Sequence, residues 1–188
     1  MTGTRRPDGM VIGSLIAISF GTVFMMVNSS GLPAPWPLVI RAAGAVIAAV
    51  LVVALLRTAR TGRTTSPEGA GFADRRYQVI VAVEVIALFG GLYVINQVLQ
   101  RPETGIAWVA VVVGTHFFAL AWAWRLPLFH WLGAAMTLLG LAGFVAYALG
   151  ASAATVALIA GVGSGLSLYG TVAAALLQAR DSRYTAPV

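Results

Sequence analysis

Six long apolar runs separated by short polar breaks make up most of the 188-residue chain, and its arginines crowd into every second break. A membrane-spanning helix needs about 20 mostly apolar residues. Runs of that kind fall at 10–27, 36–56, 77–99, 106–124, 128–149 and 152–177. Hydrocarbon offers no partner to a free backbone N–H or C=O, so a span must be a helix or part of a closed barrel. The two-residue alternation of a barrel strand is missing here. The expectation is an all-α polytopic protein, a single membrane domain over 1–188 with six transmembrane helices and both termini on the cytoplasmic side.

Composition points the same way. Hydrophobic residues are 59% of the chain and charged residues 10%, where a soluble domain carries about 25% charged residues. The net charge of +6 is better explained by loop arginines at an anionic leaflet than by nucleic acid, so the expected partner is the lipid bilayer. Every basic residue is Arg. With the abundant Ala, Gly and Val, this suggests a GC-rich coding sequence and a bacterial cytoplasmic (inner) membrane. The absence of Cys excludes disulfides and thiolate chemistry. The first run follows Arg5-Arg6 as a signal peptide would. It is longer than the roughly 7–15 apolar residues of a signal and is read as a retained span.

The breaks carry turn chemistry, with Asn28 to Pro35, Arg101 to Gly105 and the tight Arg125-Leu126-Pro127. Breaks this short make neighbouring spans antiparallel. The one sizeable loop, 57–76, is rich in Arg, Thr, Gly and Ser and is expected to be cytoplasmic. With six spans drawn, ten arginines fall on one side, and only Arg41 and Arg101 fall on or near the other. That bias is the positive-inside signal for cytoplasmic termini. The halves also echo one another. Gly21-Thr22-Val23-Phe24 resembles Gly114-Thr115-His116-Phe117, and Pro37-Leu38 matches Pro127-Leu128. A 3+3 inverted repeat, a transporter hallmark, would produce such echoes.

Charges inside spans are the best functional clue, because a charged side chain at the centre of a helix costs about 2.5–3.5 kcal/mol on insertion scales. Glu84 lies seven residues in from Tyr77, and His116 lies eight residues from Trp124. At 1.5 Å per residue both are roughly 10–12 Å deep, on adjacent hairpin partners. Such a pair could exchange a proton or hold a cationic ligand, and it is the candidate substrate or proton site. A protonated Glu84 bonded to a hydroxyl and a packed neutral His116 is the other reading. Arg41, Asn28, Asn96 and Gln97 lie at outer ends and could form a polar mouth, or could simply be interfacial. His130 is roughly 8 Å shallower than His116, which argues against a shared haem. With no carboxylate cluster either, no metal or cofactor is expected. Gly9-x-x-x-Gly13 and Gly161-x-x-x-Gly165 match the small-residue helix-packing pattern and are compatible with a homodimer seam.

The stretch Gly114–Gly143, with Thr115-His116-Phe117-Phe118-Ala119-Leu120-Ala121, Arg125-Leu126-Pro127-Leu128 and Gly133-Ala134-Ala135, resembles runs in uncharacterised small six-span bacterial membrane proteins. It covers about a sixth of the chain, and the resemblance implies no particular activity. Arg41-Ala42-Ala43-Gly44 and Leu138-Leu139-Gly140-Leu141-Ala142-Gly143 are similar to runs in drug/metabolite-type transporters, which implies a transport role. That family repeats five spans, which this chain cannot supply twice, so no residue role carries over. Two functions remain open. One is a small secondary transporter or permease for a small molecule or ion; the other is a scaffold, accessory or stress-response protein without transport. No catalytic set stands out, so an enzyme is not expected.

Overall fold

The computed structural model describes residues 9–60 and 75–181. These form six long helices with no strand among the described residues. Helix α1 is Gly9–Asn28, α2 Trp36–Arg60, and α3 Arg75–Tyr93, extended by a π-helical turn Val94–Val98. A 3₁₀ turn, Pro102–Thr104, leads into α4, Gly105–Trp124, and α5 is Pro127–Ala148. The last helix, α6, runs from Ala153–Val156 through a π-helical stretch, Ala157–Val162, to Gly163–Asp181. Each of the six is long and apolar enough to cross a membrane. The expected loop over 57–76 is shorter than its sequence suggests, because Arg57–Arg60 finish α2 and Arg75-Arg76 open α3. The remainder of that loop lies outside the described residues.

Local chemistry sets the helix ends. Arg125 takes the left-handed conformation, φ 53°, and its N–H bonds to the Ala121 carbonyl, closing α4. Pro127 then starts α5, where its missing N–H costs nothing. Gly150, φ 85°, provides the positive φ that turns the chain out of α5. Ser152 caps α6 by accepting a hydrogen bond from the Thr155 N–H at 3.2 Å.

The helices divide into two groups joined by α6. Helices α1, α2 and α6 share a core of Ile18, Met25, Leu51, Leu55, Tyr169 and Val172. Helices α4 and α5 form the tightest pair, and α3 packs mainly on α4. Half of the most apolar stretch of α6 is buried, against 6% of that of α3. So α6 is the central helix, and α3 lies at the edge with most of its surface free for lipid.

Close approach depends on glycines, as expected where apolar burial gives helices little reason to associate in lipid. A Cβ on Gly165 would lie 2.8 Å from the Gly21 carbonyl oxygen. One on Gly133 would lie 2.8 Å from the Gly114 carbonyl oxygen. A Cβ on Gly161 would overlap the Asn28 side chain, whereas one on Gly13 would meet nothing within 4 Å. The echoed glycines therefore have different neighbours: Gly21 meets Gly165 and Tyr169 of α6, and Gly114 meets Gly133 and Thr137 of α5. Overpacking of this kind costs about 1–3 kcal/mol. Gly165→Ala is therefore expected to lower stability by about that amount. Gly170→Ala, whose Cβ would meet nothing within 4 Å, should not lower it. Unfolding of both variants in detergent, against the parent protein, checks the difference.

Candidate functional site: an ionisable pair in the α3–α4 seam

Three side-chain contacts recur along the junction of α3 with α4, at intervals of about two turns. On α4 they use Trp108, His116 and Trp124, eight residues apart; on α3 they use Gly91, Glu84 and Tyr77, seven apart. Two turns of helix take 7.2 residues, so the α3 set lies close to one stripe, whereas each eight-residue step carries the α4 set about 80° round its helix. Toward the start of α4, the Trp108 indole lies over Gly91, where any Cβ would overlap it. Its Nε1–H donates to the Ala87 carbonyl at 3.2 Å. At the other end of α4, Tyr77 and Trp124 stack with ring centroids 5.6 Å apart.

Between these two aromatic contacts, His116 Nδ1 lies 3.0 Å from Glu84 Oε2. The nitrogen makes no hydrogen bond of regular geometry there, so the contact is a close approach of the two groups rather than an aligned bond. The side chains are 11% and 19% exposed, little enough that neither can exchange its partner for bulk water. Phe117 meets the His116 ring edge-on at 5.6 Å and is itself met by Phe129 of α5 at 5.5 Å. One face of the pair is thus aromatic. Glu84 is the only carboxylate within the interior of a described span; Glu103 lies in the 3₁₀ turn and Asp181 ends α6. The carboxylate and imidazole have two chemically distinct arrangements available. In one they are oppositely charged and attract. After gain or loss of a proton, one partner is neutral and the attraction falls.

The residues grouped as an outer mouth are not joined to one another. Arg41 Nε donates to the Met26 carbonyl at 3.1 Å and to Ser29 Oγ at 3.3 Å, and Nη2 donates to Ser30 Oγ at 2.7 Å. A cation placed on the carbonyl end of α1 satisfies acceptors that the helix leaves unpaired and complements its dipole. Arg41 is thus a clamp between α2 and the end of α1. Asn28 turns back to the Phe24 carbonyl at 2.8 Å and packs over Gly161. Asn96 bonds to the Leu92 carbonyl of its own helix at 2.8 Å, and Gln97 is exposed beside it on the π-helical end of α3. His130 lies on the surface of α5 against Phe118, with ring centroids 6.2 Å apart. Among the described residues, no group of three His, Cys, Asp or Glu could hold a metal ion.

A second polar cluster was not singled out from the sequence. Tyr169 of α6, 3% exposed, places its hydroxyl 2.7 Å from Thr22 Oγ1 and 3.2 Å from the Gly44 carbonyl, and its single O–H can donate to either acceptor. Thr22 in turn donates to the Ile18 carbonyl at 2.8 Å. Helices α1, α2 and α6 thus meet at one hydrogen-bonded point. A tyrosine well inside an otherwise aliphatic span was the available signal, since a buried phenol needs a partner.

These features define a polytopic α-helical membrane protein of six spans with one ionisable pair partly buried in a helix seam. Compared with protein-family models, with curated proteins and with solved structures, the chain matches none.

Contact across the seam makes Glu84 and His116 energetically coupled. A double-mutant cycle with Glu84→Gln and His116→Ala should therefore give a coupling energy of about 0.5–3 kcal/mol. Unfolding in detergent measures it; strictly additive effects would show that the two side chains do not interact.

Proposed function

We propose that the protein is a small proton-responsive permease of a bacterial cytoplasmic membrane, with Glu84 and His116 as the proton-bearing pair and α3 as the element that moves. The observation carrying this reading is the 3.0 Å approach of Glu84 to His116 inside a span. Intramembrane carboxylates and imidazoles that face each other are the usual parts of proton relays. The asymmetry of the bundle adds support, because α3 is the least buried helix and packs mainly on α4. A change of charge in the middle of its only extensive seam acts where least other packing opposes movement. Opposite charges draw α3 onto α4, and neutralising one of them weakens that hold. A solute small enough to pass along the seam would then be coupled to the proton.

A static alternative has an observation of its own. The concavity seen on the surface lies at the arginine-rich end of α3 and is lined by neither Glu84 nor His116. In that reading the pair is a clasp in a scaffold protein, and protonation alters stability but not shape.

The test needs no knowledge of the solute. The chain has no Cys, so two engineered ones can carry spin labels. Phe89 on α3 and Leu141 on α5 are exposed positions suited to Phe89→Cys and Leu141→Cys. The permease reading expects the label-to-label distance in bilayers to differ between acidic and alkaline pH, and the difference to vanish with Glu84→Gln. A pH-invariant distance in the parent background would favour the clasp.

A further inference from the structure

We infer that the basic end of α3 and the adjoining end of α4 form a binding site for one anionic glycerophospholipid, with its phosphate at Arg75 and Arg76. A shallow concavity of about 480 Å³ is lined by Arg75, Arg76, Val79, Ile80 and Trp122. It brings together the three kinds of group that a phospholipid needs. Two guanidiniums from the first turn of α3 provide positive charge and bidentate donors suited to phosphate oxygens. Trp122, 74% exposed, places an amphipathic ring at the depth of the headgroups, where tryptophan is enriched. Below them runs an apolar track. Val79, Val83 and Ile86 are 54%, 61% and 73% exposed, and their spacing at i, i+4 and i+7 puts them on one face of α3.

The charge and the track together select the occupant. A soluble anion would use the arginines and leave the valine and isoleucine track uncovered; a zwitterionic lipid would cover the track but bring no net charge to the arginines. An anionic lipid satisfies both. Basic pockets between transmembrane helices on the cytoplasmic side recognise such headgroups by the same chemistry. The site has a structural consequence as well. Its arginines belong to α3 and its tryptophan to α4, so a bound lipid spans the two helices at the end of their seam. It would hold α3 in place independently of the Glu84–His116 contact. The inference does not rest on the permease reading, since a static bundle would bind the lipid equally.

Native mass spectrometry of the full chain, released from micelles containing phosphatidylglycerol or phosphatidylcholine, tests this. The parent protein is expected to keep one phosphatidylglycerol in preference to phosphatidylcholine. With about 1 kcal/mol contributed per basic residue near the surface, Arg75→Gln with Arg76→Gln should lower phosphatidylglycerol retention about tenfold or more. Arg75→Lys with Arg76→Lys should recover much of it, and Arg57→Gln with Arg60→Gln, at the end of α2, should leave it unchanged. Equal loss in the α2 variant would show a diffuse charge effect and overturn the site. So would retention that ignores the α3 arginines, equal retention of the two lipids, or displacement of phosphatidylglycerol by inorganic phosphate alone. An unchanged helical spectrum and monodisperse elution of each variant separate lost binding from lost folding.

Discussion

A carboxylate placed in hydrocarbon has to find a partner within its own protein, and the position of α3 depends on where Glu84 finds one. The helix has little else to hold it. Among the described residues of α3 only Ile95, in the π-helical turn, is buried. Its seam with α4 includes a tryptophan over a glycine, an acid beside an imidazole, and a stacked aromatic pair. The two outer contacts are largely insensitive to charge, while the middle one depends on it. On the permease reading, the docking of α3 therefore depends on the protonation of this contact. Elsewhere in the bundle, α1, α2, α5 and α6 meet through glycines, aliphatic side chains, the Tyr169–Thr22 hydroxyl contact and the Arg41 clamp between α1 and α2, with no carboxylate–imidazole pair among the described residues.

The six helices were legible because lipid leaves one rule for every residue of a span. The expected run at 106–124 and the helix Gly105–Trp124 differ by one residue, and 128–149 compares with Pro127–Ala148. The depth match of Glu84 and His116 was legible too, since antiparallel hairpin partners with a short connection leave little freedom in register. The flanking contacts of Gly91 with Trp108 and Tyr77 with Trp124 become visible only once the helices are placed, because the α4 residues, eight apart, do not share one face.

The helix arrangement was much harder to read. In water an amphipathic stripe announces the buried face of a helix; in a bilayer both the lipid side and the protein side are apolar, and that signal fades. Nothing in the aliphatic content of α3 and α6 says that one is peripheral and the other central. The informative residues are the small ones. Gly21 and Gly165 mark a true close approach, while Gly13 and Gly170, indistinguishable from them by residue type, face open space. Arg41 was obscure for a related reason. Its position suggested an interfacial side chain or part of an outer mouth, but its donors are directed at Met26, Ser29 and Ser30, acceptors left over where α1 ends.

The account stands on the contact between Glu84 and His116 in a bilayer. With only two histidines in the chain, solid-state NMR of protein carrying isotope-labelled histidine ring nitrogens and glutamate carboxyl carbons can read it directly. A through-space cross-peak between a glutamate carboxyl and a histidine ring, lost with His116→Ala and kept with His130→Ala, is the predicted result. Well-resolved signals from both groups with no such cross-peak would contradict the account.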